Sequence, residues 1–361
     1  MEKENLSQID RVRSMPKVDL HVHLGGCFAH SDIRELAQKY HPDIAEEQFR
    51  DIFSFRDFAG FSNAWKFKNS LVSTYQDFSF LMDGVVDYVK RENIVYWEPA
   101  LALFEFAPLD PAKLLDIADS KLKNSGAHHS FLMDLVRGDG AESLRAQYDF
   151  YNSLAKDYPI RGVGLSGNEE KHGLSKDLIP IFAKAKADGY GITIHASESG
   201  NLANVKSAVE DFGADRIGHA NFMNLCLDRP LVDRIVRSEI HLEFVPSSLG
   251  RWNRHGHQQV AREIHDYLHA GVLNRMYGAE IPHYDFSIGS DDPGMFGESF
   301  SKVLADLNLR DKDYDHIMHV ANDASFAPPE VKESVSLALC GSPKVDISKL
   351  MSVYGLSKNN R

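Results

Sequence analysis

The chain has 361 residues, of which 43% are hydrophobic and 25% are charged, a balance that is ordinary for a folded globular protein. Its 52 acidic and 40 basic residues give a formal net charge of -12, so most of the surface would repel a polyanion and no nucleic-acid partner is expected. The sequence contains no apolar run near the roughly 18 residues of a membrane span. Its polar start and its sparse cysteines (Cys27, Cys226, Cys340) predict reduced thiols and a cytoplasmic location.

Short apolar or alternating runs recur along the chain, and helical patterns fit between most of them. The predicted strands are 17–24, 94–102, 130–137, 160–166, 191–196, 215–219, 239–245 and 285–290. Eight strands with helical crossovers favour an α/β fold, a parallel (β/α)8 TIM barrel. We expect one domain over 1–361, with the active site at the carboxyl ends of the strands.

The segment at about 31–93, between the first two predicted strands, is expected to be a helical insertion. Thr74 and Asp77 are spaced as in a capping box and predict the start of one of its helices. The segment is unusually aromatic around Phe53, Phe55, Phe58, Phe61, Trp65 and Phe67. Most of these rings should pack in the core, and some could form an apolar lid over the active site.

The first predicted strand carries two histidines, His21 and His23, two positions apart. Because side chains alternate between the faces of a strand, both imidazoles point the same way. At the end of a strand, such a pair can hold one metal ion. A lone His-x-His pattern is weak evidence, so the remaining ligands must come from elsewhere in the chain.

Polar side chains also follow three later strands. His195 ends the fifth predicted strand and is followed by Glu198, and His219 ends the sixth. Asp291 and Asp292 follow the eighth. Because the carboxyl ends of barrel strands share one face, these side chains are predicted to converge with the two histidines of the first strand.

Several segments, taken in order, carry a family signature. They are His-Val-His-Leu-Gly-Gly at 21–26, Val-Tyr-Trp-Glu at 95–98, Leu-Ser-Gly-Asn-Glu at 165–169, His-Ala-Ser-Glu at 195–198, Arg-Ile-Gly-His at 216–219, Pro-Ser-Ser at 246–248 and Ser-Asp-Asp-Pro at 290–293. With Asn322, Ser325 and Phe326, they resemble the adenosine/adenine/AMP deaminase family of metal-dependent hydrolases. The similarity extends from residue 17 to about residue 332 and implies one barrel with one metal.

The resemblance implies which residues would bind that metal. They are His21, His23, His195 and Asp291, and they would hold one divalent ion per chain, Zn²⁺ or another divalent metal. Neutral imidazoles with one carboxylate suit zinc and leave a position open for water. Glu198 would be the proton shuttle, and His219 would orient the metal-bound water and help to deprotonate it. With Asp291 these residues form the implied catalytic set.

The resemblance also implies substrate contacts. Asp292 would contact a purine ring at N7, and the backbone at Gly167 would contact N3. Gly25 and His23 would lie on the substrate side of the site. The expected partner is therefore a small-molecule aminopurine, without a nucleic-acid polymer or a membrane, and the sequence gives no oligomeric state.

The residue types suit this chemistry on independent grounds. An aromatic carbon bearing an amino group is a weak electrophile, and a metal that lowers the pKa of bound water to about 7 supplies hydroxide at neutral pH. An acid that protonates the ring nitrogen makes the adjacent carbon attackable and can later pass a proton to ammonia. Glu198 is the only acid within three residues of His195, so the task is assigned to it.

The sequence departs from the family pattern around the outer pocket. Gly25 stands where nucleoside-directed members carry an acid that grips the ribose. Ser197 replaces a glycine, Ala100 stands in place of an arginine, and Ile281 replaces a histidine before a proline. Retained deamination with an altered ring or sugar substituent is therefore expected.

We expect hydrolytic deamination of a 6-aminopurine compound, with adenosine or a modified adenosine as the lead substrate. The alternatives are free adenine, an N6-substituted adenine nucleotide, or another metal-dependent hydrolysis of an amide, lactone or phosphoester on the same barrel. A non-enzymatic binding protein is disfavoured because a pure binder has no need of Glu198 and His219 together. A small basic cluster of Arg251, Arg254, His255 and His257 follows the seventh strand and could receive an acidic substituent.

Overall fold

Eight parallel strands follow one another in one sheet in their order along the chain. They are β1 (Lys17–His23), β2 (Ile94–Leu101), β3 (Phe131–Val136), β4 (Ile160–Ser166), β5 (Gly191–Ala196), β6 (Arg216–His219), β7 (His241–Phe244) and β8 (Phe286–Ile288). A two-residue strand, His128–His129, also pairs with β2. The computed structural model that gives these bounds describes residues 7–220, 228–248 and 286–340.

The last strand returns to the first and closes the sheet. The Asp291 N–H donates to the His21 carbonyl over 2.9 Å, and the His23 N–H donates to the Asp291 carbonyl over 3.0 Å. Val22 and Asp291 form an isolated parallel bridge at this seam. The predicted (β/α)8 barrel and its eight strands are therefore confirmed.

Helices connect and surround the strands. They are α1 (Gln8–Ser14), α2 (His30–Tyr40), α3 (Glu46–Ile52), α4 (Phe58–Ser70), α5 (Tyr75–Arg91), α6 (Pro111–Leu122), α7 (Ala141–Leu154), α8 (Ile179–Ala187), α9 (Leu202–Glu210), α10 (Arg229–Arg237), α11 (Pro293–Phe296), α12 (Phe300–Asp306), α13 (Asp311–Ala324) and α14 (Pro329–Cys340). None of the helices in the described ranges is long and apolar enough to cross a membrane.

Helices α2 to α5 lie between β1 and β2, in the segment where a helical insertion is predicted. The predicted capping box is present: Asp77 N–H donates to Thr74 Oγ1 over 3.2 Å, and Thr74 N–H donates to Asp77 Oδ2 over 2.9 Å. The apolar face of α5 is buried, as its helical spacing requires, at Phe78, Leu81, Met82, Val85, Val86 and Val89. The amino-terminal end and one face of this helix are therefore fixed by local sequence.

The barrel interior contains a buried ion network in addition to apolar side chains. Arg216 Nη2 lies 2.7 Å from Glu98 Oε2, and Arg216 Nε lies 2.7 Å from Glu243 Oε1. All three side chains are at most 1% exposed. The guanidinium also stacks over the Phe326 ring at 3.8 Å from its centroid. Buried charges persist when they are paired in this way, and removal of one partner leaves the others uncompensated.

We predict that Arg216→Met destabilises the fold by about 3–5 kcal/mol, because it leaves two buried carboxylates without their positive partner. Arg234→Met removes an exposed arginine from its 2.6 Å pair with Glu210 and should cost less than about 1 kcal/mol. Urea unfolding followed by circular dichroism measures both free energies of unfolding. Equal losses in the two variants would contradict the importance of the interior network.

Candidate metal centre and active site

The barrel brings the predicted ligands together at the carboxyl ends of its strands. Three imidazoles, from His21 and His23 at the end of β1 and His195 at the end of β5, offer nitrogens within 4.8 Å of one another. Asp291 Oδ1 lies 3.8 Å from His21 Nε2 and 3.6 Å from His23 Nε2. His219, at the end of β6, joins His21 and Asp291 in a second such group. Residues separated by up to 270 positions thus surround one point.

The backbone at these strand ends is strained. Ser197, His219 and Asp291 have φ values of 68°, 64° and 61°, in the left-handed region that side chains other than glycine disfavour. Each such residue costs about 1–2 kcal/mol, and such costs concentrate at functional sites. Glycine adopts such a φ without strain, which explains why the family pattern has glycine at the position of Ser197.

Carboxylates hold both histidines of β1 in a defined tautomer. His21 Nδ1 lies 2.6 Å from Glu243 Oε2, and His23 Nδ1 lies 3.0 Å from Asp134 Oδ2. In its neutral form, with Nδ1–H donated to a carboxylate, each ring presents an unprotonated Nε2 to a metal. His21 Nε2 is buried without a hydrogen-bond partner. A buried, unpartnered nitrogen that faces other ligand atoms is what a metal site requires.

His219 and His195 are joined in a chain of polar contacts. The Ser248 hydroxyl donates to the Val245 carbonyl over 3.2 Å, so its oxygen can accept from His219 Nδ1, 3.1 Å away. His219 Nε2 in turn lies 3.1 Å from His195 Nδ1. With the proton of His195 on Nδ1, the other nitrogen of that ring is left as a lone-pair donor.

The electrostatics of the cluster favour a bound cation. Burial, and then the neighbouring imidazoles, lower the pKa of His195 and of His219 well below the usual value, so both rings stay neutral. Burial and the adjacent carboxylate of Asp292 raise the pKa of Asp291 well above its usual range. Burial alone would lower the pKa of His23, but the carboxylates of Asp292, Asp134 and Asp291 outweigh it and raise that pKa to about 10.

The crowded carboxylates therefore attract positive charge, and they raise the pKa of His23 for that reason. Metal binding needs neutral imidazole nitrogens and ionised carboxylates. The donor set of three imidazoles and one carboxylate, with the orphaned His21 Nε2 among them, fits one divalent ion of the zinc type. The site is suited to a metal by its own chemistry.

Glu198 lies next to this cluster and is 9% exposed. Its Oε2 is 3.8 Å from His219 Nε2. The loop that carries it is anchored by buried Glu169, which accepts from the Ser197 N–H over 2.7 Å and the Ser199 N–H over 2.9 Å. Arg137 also donates to the His195 carbonyl. The acid is therefore held near the cluster by its neighbours.

One cavity of about 820 Å³ opens onto the cluster. Its lining includes Glu198, His219, Asp291, Asp292 and the backbone of Gly167, five of the residues predicted to act in catalysis or substrate binding. Gly167 directly follows β4 with a φ of 95°, and a Cβ there would lie 3.0 Å from Val136, so its backbone needs glycine. Asp292 Oδ1 is buried without a hydrogen-bond partner.

Comparison with known proteins supports the same interpretation. The adenosine deaminase family matches residues 16–338. The chain belongs to the adenosine deaminase family. The predicted resemblance is thereby confirmed, and with it the prediction of a metal-dependent hydrolase.

Three proteins show how this chain relates to others in and around the adenosine deaminase family. An adenine deaminase from Cupriavidus pinatubonensis is 26% identical over 343 residues, which cover 90% of this chain and 91% of that protein. The structure of the N6-mAMP deaminase from Arabidopsis has a TM-score of 0.75 at 21% identity and covers 92% of this chain and 100% of its own. An amidohydrolase from Burkholderia ambifaria, solved with bound Zn, has a TM-score of 0.74 at 16% identity, over 99% of this chain and 97% of its own.

The space beside Gly25 is filled rather than empty. A Cβ on Gly25 would lie 3.0 Å from Lys68 Nζ and 3.4 Å from the Trp65 ring. Lys68 is 1% exposed and donates to the Gly25 carbonyl over 2.7 Å. Burial lowers the pKa of Lys68 to about 7, against the opposing influence of nearby carboxylates. Two residues of α4 therefore lie against the position that a Cβ would take at residue 25.

Several supporting residues were missed in the sequence. Asp134 and Glu243, which orient the β1 histidines, lie inside strands whose apolar neighbours hide them. Glu169 belongs to the Leu-Ser-Gly-Asn-Glu segment, but its hydrogen bonds are made to a loop 30 residues away.

Other predictions concern residues outside the described ranges: the basic cluster at Arg251, Arg254, His255 and His257, and also Ile281 and Cys226.

We predict that Asp134→Asn lowers Zn²⁺ affinity about 10- to 100-fold, because His23 loses the carboxylate that fixes its tautomer. Asp119→Asn is the matched control, since Asp119 makes an equivalent 3.1 Å contact with His129 away from the cluster. Competition with a chromophoric chelator measures both affinities. An unchanged affinity in Asp134→Asn would exclude this supporting role.

Proposed function

We propose that this chain catalyses zinc-dependent hydrolytic deamination of a 6-aminopurine compound, yielding the 6-oxopurine and ammonia. One observation carries the proposal: Glu198, His219 and Asp292 line the same cavity as the three-histidine, one-aspartate cluster. His21, His23, His195 and Asp291 are the proposed ligands of one Zn²⁺. When bound, the ion would act as a Lewis acid and would lower the pKa of a water molecule in the site to about 7.

Glu198 is the proposed proton carrier. Its carboxyl is shielded from solvent by its neighbours, which suits an acid that must hold its proton until substrate binds. Protonation of the ring nitrogen next to the amino-bearing carbon makes that carbon more electrophilic. The carboxylate left behind then takes up the remaining proton of the attacking water and passes it to the departing amino group, so the water oxygen replaces nitrogen on the ring and ammonia leaves.

His219 is the proposed base. Its Nδ1 contacts the Ser248 hydroxyl, so a neutral ring can leave Nε2 free of a proton and facing Glu198 at 3.8 Å. Burial and the neighbouring imidazoles hold its pKa low, which keeps the ring neutral and able to orient the attacking water and accept a proton. The pair of Glu198 and His219 thus provides an acid and a base on one side of the cavity.

Asp292 and Gly167 are proposed to hold the ring. Purine N7 is an acceptor, so a carboxyl group that contacts it must carry a proton. Burial raises the pKa of Asp292, and the residue lines the cavity. Gly167 brings backbone to the cavity without a side chain in the way.

The substrate is proposed as adenosine or a modified adenosine, with free adenine and N6-substituted adenine nucleotides as alternatives. Named relatives act on different members of this group: one is an adenine deaminase and another an N6-mAMP deaminase. Proteins from Arabidopsis that share the fold were solved with IMP and with GMP, which supports a small-molecule ligand here. A cytoplasmic location stays a prediction.

Glu198→Gln should lower the rate of ammonia release by at least 10²-fold while Zn²⁺ content stays the same, because the amide cannot shuttle a proton. The assay follows loss of adenine-type absorbance over a panel of aminopurines with zinc-loaded protein. Glu170→Gln is the control and should keep full activity, because Glu170 is an exposed acid that is not among the residues lining the cavity. No ammonia release from any aminopurine would refute the proposed reaction.

Metal stoichiometry separates the deaminase from a two-metal hydrolase on the same barrel. We expect one Zn²⁺ per chain by elemental analysis, since a bridging lysine is missing at the end of β4, where Ser166, Gly167, Asn168 and Glu169 stand. A value of two ions per chain, with both lost in His195→Ala, would favour the alternative amide, lactone or phosphoester chemistry.

A further inference from the structure

A buried carboxylate joins the loop after β4 to the loop after β5. Glu169 is 4% exposed and lies three residues past the end of β4. Its Oε1 accepts from the Ser197 N–H over 2.7 Å and from Asn204 Nδ2 over 2.8 Å. Its Oε2 accepts from the Ser199 N–H over 2.9 Å and from the Ser199 hydroxyl over 3.0 Å. These four donors match the four lone-pair sites of one carboxylate.

The two amides that Glu169 holds lie on either side of the proposed proton carrier. Ser197 and Ser199 flank Glu198 in the chain, so the backbone on both sides of the acid is fixed to one carboxylate. Ser197 is buried and keeps a left-handed φ of 68°. Because that conformation is costly for a serine, the bond from its N–H to Glu169 helps to hold the loop in this shape.

A second tether starts at the end of β3. The Arg137 N–H donates to the Ser166 carbonyl over 2.9 Å, which fixes the last residue of β4. The Arg137 side chain donates to the His195 carbonyl, three residues before Glu198. Burial lowers the pKa of Arg137, and the carboxylates of Glu169 and Glu198 oppose this effect, so the guanidinium lies within electrostatic reach of both. The ends of β3, β4 and β5 are therefore tied together.

This arrangement places a ring contact and an acid on one rigid unit. Gly167, the proposed backbone contact to the purine, lies two residues before Glu169 in the same loop, and both Gly167 and Glu198 line the cavity. Proton transfer needs an acid within about 2.6–3.2 Å of the ring nitrogen, and a displacement of about 1 Å can lower a rate about 10²-fold. Glu169 is not among the residues that line the cavity, so it acts on a substrate only through the groups that it holds.

We infer that Glu169 is a positioning residue for Glu198, and that it fixes the distance between this acid and a purine ring seated on Gly167. The inference rests on the proposed function. Ring binding is assigned to Asp292 and to the backbone of Gly167, and neither of them is among the four donors that Glu169 binds. Loss of the bonds to Glu169 should therefore lower kcat and leave KM nearly unchanged.

Glu169→Gln tests the inference in the zinc-loaded protein. The amide keeps the shape of the side chain, but its NH₂ group cannot accept a hydrogen bond, so the two bonds at one oxygen are lost. With the best aminopurine of the panel, we expect kcat to fall about 10²-fold and KM to change less than about threefold. Elemental analysis should still find one Zn²⁺ per chain. An unchanged kcat would overturn the inference.

A double-variant cycle separates positioning from a purely structural role. In the Glu198→Gln background no acid is left to position, so the addition of Glu169→Gln should lower the residual rate less than about threefold. A loss of about 10²-fold in both backgrounds would show that Glu169 acts on something other than Glu198, and it would overturn the inference.

Glu92→Gln is the matched control. Glu92 is also buried and accepts a backbone amide, the Ser301 N–H over 2.8 Å, but it precedes β2 at the amino end of the barrel. This variant should lower the free energy of unfolding without lowering kcat. An equal fall of kcat in Glu92→Gln and Glu169→Gln would assign the effect to lost stability and overturn the inference.

Ser199→Ala provides a milder variant in case Glu169→Gln does not fold. It removes the hydroxyl bond to Glu169 and leaves the carboxylate in place. We expect kcat to fall about two- to fivefold with Glu198 present and to stay unchanged in the Glu198→Gln background. An equal fall in both backgrounds would contradict the inference.

Amide hydrogen exchange tests the same contacts without turnover. In Glu169→Gln, the amides of Ser197 and Ser199 should exchange at least about tenfold faster, while those of α5 keep their protection. If no aminopurine is deaminated, the proposed function fails, and this comparison still decides whether Glu169 holds the loop of Glu198. Unchanged exchange at both serines would overturn the inference.

Discussion

Closure of the barrel between β8 and β1 is the constraint on which the site depends. Two backbone hydrogen bonds, Asp291 N–H to the His21 carbonyl and His23 N–H to the Asp291 carbonyl, set the register of the last strand against the first. A shift of one residue would turn Asp291 away from both histidines. The left-handed φ of Asp291 shows that this register is held against a local conformational cost.

Polar side chains inside the barrel orient a residue of the candidate metal centre and also stabilise the fold. Glu243 connects the two: one oxygen pairs with Arg216, and the other accepts from His21 Nδ1. Arg216 pairs on its other side with Glu98, which also accepts from the Phe326 N–H and the Tyr96 hydroxyl at 2.6 Å. The orientation of His21, a proposed metal ligand, is therefore linked through buried charges to the segment between α13 and α14, which gives these polar groups a role that apolar packing could not fill.

The fold and the residues around the proposed metal position could be predicted because both depend on local sequence patterns. Strand residues alternate or run apolar, and His21, His195, His219 and Asp291 each stand at a strand end, so topology alone gathers them. The residues that orient them could not be found this way. Asp134 and Glu243 contact histidines 111 and 222 positions away, and a buried carboxylate within an apolar strand carries no local mark of its partner.

Gly25 shows where reading one position in isolation fails. In the sequence, this glycine indicates only the loss of a carboxylate. In the fold, its missing Cβ admits Lys68, whose ammonium group caps the Gly25 carbonyl and lies against the Trp65 ring. In place of the carboxylate of the family pattern there is a buried amine, 43 positions away in the chain, on a helix whose aromatic residues resemble ordinary core residues. The glycine at position 25 and the composition of α4 are therefore one feature, a pocket wall beside the proposed catalytic set.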